Sequence, residues 1–369
     1  MKYYIIAGEA SGDLHGSNLI KELKNLDSKA AFRCWGGDLM EKQGGVLARH
    51  YRDLAFMGFT EVVMNLGKIL SNLKFCKKDI QEFHPDVVIL IDYPGFNLRI
   101  AEYVKSLGTK VFYYISPQVW AWKESRVKII KRCVDRMFVI LPFEKVFYKK
   151  HHFEVDFTGH PLLDAMSEKD AGENKFRTLN NFSEKPILAI LPGSRQQEIK
   201  TMLPVMIRAC RRFEDFECIV AGAPSVSEEF YRSCLTDFPG IRVVFGQTYG
   251  LLRNAHSAVV TSGTATLETA LFDVPEIVCY KGGTVSYHIA RSMVKVKYIS
   301  LVNLIMDREI VPELIQRNFN ANNLANELKK IISGERREIM KRDYSQLKNK
   351  LGGAGASAKT AELMMKYLS

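Results

Sequence analysis

Twice in this chain a short apolar run leads into a glycine loop and then into a helix-like stretch, and the two copies lie about half a chain apart. The first is Tyr4-Ile5-Ile6-Ala7-Gly8-Glu9-Ala10-Ser11-Gly12-Asp13, with a helical pattern from His15. The second is Ile187-Leu188-Ala189-Ile190-Leu191-Pro192-Gly193-Ser194-Arg195, with a helical pattern from Gln196. A buried strand, a tight glycine turn and a helix N-terminus form the entry to a nucleotide-binding α/β unit. Two such entries predict two Rossmann-like domains facing across a cleft, with room for a nucleotide-sugar on one wall and an acceptor on the other.

The rest of the chain fits that plan. At 369 residues it exceeds what one hydrophobic core usually absorbs. Strand-like runs such as Val87–Ile91, Val111–Ile115 and Met137–Leu141 alternate with helical stretches at about 97–107 and 123–134. Residues 187–191, 218–221, 243–245, 258–260 and 277–280 do the same in the second half. Nearly continuous apolar strands between helices indicate parallel sheets covered on both faces. The polar stretch 165–185, broken by Gly172, Asn180 and Asn181, reads as the linker. The expected domains are therefore 1–168 and 169–341. A helical tail at about 342–369, interrupted at Gly352-Gly353-Ala354-Gly355, would turn back onto the first.

Composition removes several classes. With 47% hydrophobic and 25% charged residues the chain is globular. Its seven cysteines include no CxxC pair, so neither a disulfide framework nor a zinc site is indicated. No secretory leader is visible and no apolar run approaches the ~20 residues of a spanning helix, which predicts a cytoplasmic protein. The net charge of +11 suits nucleic acid, an anionic membrane or phosphorylated substrates. The basic residues form short clusters without a zinc finger, RNP motif or KH loop, which argues against nucleic acid.

Four loops carry candidate chemistry. In Pro192-Gly193-Ser194-Arg195, Gly193 lets the backbone approach a ligand, Ser194 can cap the helix or donate, and the helix N-terminus favours phosphate. Arg195 adds a permanently charged fork suited to a diphosphate; an ordinary capped turn, with Arg195 paired to Glu198, fits the spacing as well. Thr261-Ser262-Gly263-Thr264-Ala265-Thr266-Leu267-Glu268 again follows a strand, with Gly263 and Thr264 offered to phosphate. Glu268, one turn into the helix, is placed to accept both hydroxyls of a ribose. The first loop sets Glu9, Ser11 and Asp13 at a strand's carboxyl end, where a sugar acceptor could bind, or where Ser11 could simply cap the helix. The fourth is Ile91-Asp92-Tyr93-Pro94-Gly95, in which a strand ends on a carboxylate whose pKa, raised by partial desolvation, would suit a general base. His15, His160 and His288 are rival bases. No DxD pattern stands at a strand end and no HExxH occurs, so no metal and no cofactor are expected.

Outside these loops, Leu54-Ala55-Phe56-Met57-Gly58-Phe59 and the residues Leu66, Ile69, Leu70, Leu73 and Phe75 form an apolar series beside Lys68, Lys74, Lys77 and Lys78. Such a face can lie on a membrane, receive acyl chains, or fill a core. Trp120 and Trp122 fit either the core or the cleft.

Taken together, the motifs resemble the bacterial lipid-A-disaccharide synthases, glycosyltransferases of the GT-B fold. The resemblance rests on Gly8–Asp13, Ile91-Asp92-Tyr93-Pro94, Ser116-Pro117-Gln118-Val119-Trp120-Ala121-Trp122 and Leu141-Pro142-Phe143-Glu144. It continues through Gly159-His160-Pro161, Leu191–Arg195, Ser262–Glu268 and Ser300-Leu301-Val302-Asn303-Leu304-Ile305. It implies transfer from UDP-2,3-diacylglucosamine to 2,3-diacylglucosamine 1-phosphate, giving a β-1,6 disaccharide and UDP without metal. It assigns Asp92 to the acceptor hydroxyl, Arg195 to the diphosphate, and Glu268 and Asn303 to the nucleotide-sugar. Some members have a second aspartate where this chain has Gly95. The basic surface and Phe56, Met57 and Phe59 would then serve acylated, anionic substrates at the cytoplasmic face of the inner membrane. A UDP-N-acetylglucosamine 2-epimerase of the same fold and a noncatalytic nucleotide-binding scaffold are the alternatives.

Overall fold

The computed structural model describes residues 1–54, 66–167, 176–283 and 296–369. The chain divides into two compact units, Met1–Asp164 with Leu351–Ser369, and Ala165–Lys350.

In the first unit the continuous apolar runs become parallel strands: β1 Lys2–Ala7, β2 Ala31–Gly36, β3 Val46–His50, β4 Val87–Ile91, β5 Lys110–Tyr114, β6 Arg136–Val139 and β7 Asp156–Phe157. Their order across the sheet is β3-β2-β1-β4-β5-β6-β7. Every residue of β4 is buried, as a central parallel strand covered on both faces requires. The second unit repeats the plan with β8 Ile187–Leu191, β9 Glu217–Gly222, β10 Arg242–Phe245, β11 Ala255–Thr261, β12 Glu276–Tyr280 and β13 Glu313–Ile315. These are parallel too, in the order β10-β9-β8-β11-β12-β13.

The last helix, Ala356–Leu368, belongs to the first unit. Its N-terminus is capped from far away in sequence: the Asp164 carboxylate accepts from the backbone N–H groups of Gly355 at 2.6 Å, Ala356 at 3.2 Å and Ser357 at 2.8 Å. Thr360 bonds Thr158 at 2.9 Å, and the Tyr367 hydroxyl donates to Asp156 at 3.1 Å. The returning segment begins at Leu351 and not near 342, because the preceding helix, Glu335–Leu351, is fastened to the second unit. Arg308 grips Asp343 through two bonds of 3.0 and 2.5 Å, and Lys348 pairs with Asp273 at 2.6 Å.

The stretch read as a linker is structured on its far side. Phe176 and Phe182 are buried in the core of the second unit with ring centroids 5.3 Å apart, and the Arg242 guanidinium lies 3.9 Å from the Phe182 centroid. Two aromatics among polar residues anchor that segment without giving it an apolar period. The 168/169 boundary falls outside the described residues.

Candidate active site

Each sheet has one place where the strand order reverses. In the first it lies between β1 and β4, where Ala7 pairs with Ile91; in the second it lies between β8 and β11, where Leu191 pairs with Val260. Open α/β sheets bind ligands beyond the carboxyl ends of the strands at such a reversal. All four loops singled out from the sequence start there: Gly8–Asp13 after β1, Asp92–Gly95 after β4, Pro192–Arg195 after β8, and Ser262–Thr264 after β11.

At the first reversal the backbone is strained. Asp92 and Tyr93 have φ of +43° and +48°, and Ile115, on the neighbouring loop, has +64°. Three bonds hold the turn. The Tyr113 hydroxyl donates to the Asp92 carbonyl at 2.5 Å, the Asn97 amide donates to the same oxygen at 2.7 Å, and the Asp92 N–H donates to the Ile115 carbonyl at 3.3 Å. The Tyr93 ring covers Gly8 so closely that a Cβ there would come within 2.4 Å of it, which explains the glycine. The Asp92 side chain keeps access to solvent on one side. Protein crowding its other sides desolvates it, and the charge of Glu9 adds to this; together they push the carboxyl from 3.8 up to about 7, against the pull of the Tyr93 N–H. Water on the open side screens part of that push. Glu9, the exposed N-cap residue of the helix Ala10–Leu26, uses no side-chain cap bond. Ser11 is exposed in the first turn and is not the cap.

Asp13 corrects the expectation of an acceptor contact. It is buried, and its carboxylate accepts from the N–H groups of Gly37 at 2.7 Å, Leu39 at 3.1 Å and Met40 at 3.1 Å. Those bonds cap the short helix Asp38–Lys42, so Asp13 supports the loop from beneath. The rival bases His15 and His160 are sealed inside the first unit. Burial pushes them down to about 4 and about 3, with the charge of Asp164 opposing the shift of His15. His288 lies outside the described residues.

At the second reversal, Gly193 has φ of +107°, and a Cβ there would meet the Glu198 carboxylate at 2.9 Å. Arg195 is the N-cap residue of the helix Gln196–Cys210; its guanidinium, 62% exposed, bonds Glu198 at 3.1 Å. So exposed a pair contributes little, and a diphosphate could claim the guanidinium at small cost. Ser194 is exposed, with its carbonyl accepting from the Ser225 hydroxyl at 3.1 Å. Gly263 and Thr264 are exposed where the helix Thr264–Leu271 begins. Glu268, partly buried one turn on, receives the Tyr249 hydroxyl at 3.0 Å, which fixes the carboxylate's direction. Nothing in the sequence flagged Tyr249, since it stands on another helix, Thr248–Asn254.

Asn303 is a second correction. It is fully buried, and its amide is spent within the protein: Nδ2 donates to the Val311 carbonyl and to Glu313, both at 2.9 Å, while Oδ1 accepts from the N–H groups of Ile310 at 2.8 Å and Val311 at 3.0 Å. An amide with every site occupied inside the protein positions the loop.

Phe56, Met57 and Phe59 lie outside the described residues. The next helix, Leu66–Phe83, divides the apolar series: Leu73, Cys76 and Ile80 enter the core, whereas Leu70 and Phe75 are 57% and 36% exposed. Arg49 stands 4.8 Å from the Phe75 centroid. Among the described residues no helix is long and apolar enough to cross a membrane, and no group of three or more His, Cys, Asp or Glu is placed to hold a metal ion.

Against known proteins, the family model described as lipid-A-disaccharide synthetase matches residues 3–367. The lipid-A-disaccharide synthase of Syntrophus aciditrophicus is 40% identical over 368 residues, covering 98% of this chain and 96% of that one. That of Myxococcus xanthus is 37% identical over 373 residues, covering 99% and 97%. Among solved structures, the UDP-GlcNAc 2-epimerase from Neisseria meningitidis bound to UDP-GlcNAc superposes with a TM-score of 0.70 at 14% identity, over 99% of this chain and 100% of its own. The calicheamicin glycosyltransferase does so at 0.61 and 12% identity, over 100% and 98%. These two likenesses show the two-domain GT-B α/β fold.

Proposed function

This chain belongs to the lipid-A-disaccharide synthase family, and from that premise we propose that Asp92 and Arg195 serve the two halves of one inverting sugar transfer. The protein is a glycosyltransferase of lipid A biosynthesis. Its donor is UDP-2,3-diacylglucosamine and its acceptor 2,3-diacylglucosamine 1-phosphate; the products are the β-1,6 disaccharide 1-phosphate and UDP.

The observation that carries the reading is Asp92: a solvent-accessible carboxyl at a topological reversal, on strained backbone, brought to about 7 by desolvation and by Glu9. A base poised near neutrality takes the proton of the acceptor's 6-hydroxyl as that oxygen attacks the anomeric carbon. Glu9 and Ser11, exposed on the adjoining loop, orient the acceptor's hydroxyls. On the second unit, Arg195 and the N–H groups of Gly193, Ser194, Gly263 and Thr264 bind the departing UDP diphosphate, and Glu268 accepts the ribose hydroxyls. Asn303 holds the loop on which the nucleotide-sugar rests. Charge on the leaving group is met by Arg195 and helix N-termini, without metal.

Both substrates are acylated, and peripheral attachment to the cytoplasmic face of the inner membrane follows from Phe56, Met57 and Phe59, continued by exposed Leu70 and Phe75. Replacing the first three with serine should release the protein from vesicles; unchanged sedimentation would count against attachment there.

The test of the reaction is incubation with UDP-2,3-diacylglucosamine and 2,3-diacylglucosamine 1-phosphate in the presence of EDTA, following UDP and disaccharide by mass spectrometry. Disaccharide at the same rate with and without EDTA is expected. UDP binding without product would refute the assignment.

A further inference from the structure

Three loops follow one another at the carboxyl edge of the first sheet: those after β1, β4 and β5. The first two carry Glu9 and Asp92. The third, Ile115–Arg126, has no part in the proposed reaction, yet it is firmly built. The Ile115 N–H donates to the Phe138 carbonyl at 3.0 Å, and the Ser116 and Tyr148 hydroxyls bond at 2.7 Å. The Trp120 indole donates to buried Glu144 at 3.1 Å and meets the Phe143 ring edge-on at 4.8 Å.

Among what this anchored loop presents to solvent are a tryptophan and two cations, Trp122, Lys123 and Arg126. Trp122 is 45% exposed. The Lys123 ammonium lies 4.2 Å from its ring centroid and the Arg126 guanidinium 5.8 Å, so both charges gather at one indole. Among the described residues neither cation has a carboxylate partner, although Arg126 is half-buried and carries five N–H donors. Arg99, exposed on the helix Pro94–Ser106, adds a third like charge. Burial first and the Arg126 charge second push Lys123 down from its ordinary value. Burial first pushes Arg126 down, with Arg99 adding to the shift and Tyr113 opposing it, while Glu124, between them in the chain, pairs with His151 at 3.0 Å. The patch is also close to the proposed base. Arg126 acts electrostatically on Tyr113, whose hydroxyl bonds the Asp92 carbonyl.

We infer that Trp122, Lys123 and Arg126 form the subsite for the phosphate of the acceptor sugar. The guanidinium fork and the ammonium take the phosphomonoester oxygens, and the exposed indole supplies an apolar wall for the sugar. This rests on the reading of the acceptor under the proposed function. The phosphate then registers the sugar so that its 6-hydroxyl, on the other side of the ring, falls to Asp92. An anionic lipid headgroup offers the same chemistry and is the competing occupant.

The experiment uses the full-length enzyme with a fixed concentration of UDP-2,3-diacylglucosamine and two acceptors, 2,3-diacylglucosamine 1-phosphate and its analogue with a free 1-hydroxyl. Wild type should prefer the phosphorylated acceptor in kcat/KM by roughly 10- to 100-fold, the size of a hydrogen bond to a charged group. Arg126→Gln should lose most of that preference with the KM for donor unchanged, and Lys123→Gln should lose part of it should Arg126→Gln fold poorly. Lys128→Gln, which removes an equal charge from an exposed position two residues beyond Arg126, should behave as wild type. Sedimentation with phosphatidylglycerol and phosphatidylcholine vesicles separates the two sources of phosphate. If Arg126→Gln abolishes binding to the anionic vesicles but keeps the preference between acceptors, the patch serves a headgroup and the inference is overturned. A preference retained in both variants while wild type turns over also overturns it. No disaccharide from wild type would bring down the acceptor reading, and the subsite with it.

Discussion

Replacing Glu9 with glutamine should move the acidic limb of the rate profile to lower pH. If Asp92 acts as base, only its ionised form works, so kcat/KM for the acceptor should climb as pH rises through the carboxyl's own value, about 7 in the free enzyme. That value stands well above the ordinary 3.8 for two reasons, desolvation first and the Glu9 charge second. Glu9 is the smaller of the two upward causes, so Glu9→Gln should bring the limb down by a modest shift, roughly 1 pH unit or less. Glutamine keeps the length and polarity of the side chain. Glu9 makes no side-chain cap bond that its loss would break. The assay is UDP release between pH 5 and 9 with donor and acceptor both below KM, so that the limb reports the free enzyme. At pH 6 the variant would then be faster than wild type relative to its own plateau, an unusual outcome for removing an active-site carboxylate. A limb that stays in place would show that Glu9 does not act on the group being titrated. Near-normal turnover by Asp92→Asn with an unchanged profile would remove Asp92 as the base.

Arg195→Ala should raise the barrier by about 2–4 kcal/mol, similar to losing one preorganised oxyanion donor. The melting temperature should hardly change, because its pair with Glu198 is exposed; single-turnover kinetics and thermal unfolding read the two separately. Gly8→Ala would put a Cβ 2.4 Å from the Tyr93 ring, whose backbone has no slack at φ +48°. A loss of about 1–3 kcal/mol is expected in urea unfolding. Asn303→Ala strands the N–H groups of Ile310 and Val311 in the interior, and should cost about 2–4 kcal/mol of stability. UDP affinity should fall only as far as folding does; a large loss of affinity in a fully folded variant would return Asn303 to the ligand.

Much of this arrangement is legible in the residues because it obeys local rules. Unbroken apolar runs such as Val87–Ile91 announce buried parallel strands, and the loop just beyond such a run stands at the binding edge, which singles out Asp92 and Arg195. The illegible part depends on pairs far apart in the chain. Glu9 influences Asp92 from 83 positions away, Asp164 caps a helix that begins at Ala356, and Tyr249 orients Glu268 from a different helix. Asp13 and Asn303 show a second limit. A carboxylate or amide in a loop looks the same in sequence whether it faces a ligand or the loop's own N–H groups, and here both face inward. Phe176 and Phe182 show a third, since two aromatics can pin a segment to a core without any period to betray it.

The two reversals also differ in a way that matches their proposed tasks. The second needs backbone N–H groups aimed at phosphate. Glycine delivers these without strain, and Gly193 at φ +107° is the residue for it. The first needs a side chain at the turn itself, which glycine cannot supply. There the chain places Asp92 and Tyr93 in the left-handed region, with Ile115 beside them, at roughly 1–3 kcal/mol each. Tyr113 and Asn97 hold the turn in place against that strain. Aspartate tolerates that conformation better than most side chains, as Asp273 and Asp307 do at φ +58° and +53°; Tyr93 and Ile115 do not, and they mark this turn as costly. What distinguishes Asp92 from Asp273 and Asp307 is that its carbonyl is doubly bonded and its carboxyl is left to solvent and Glu9, the arrangement that general-base work requires.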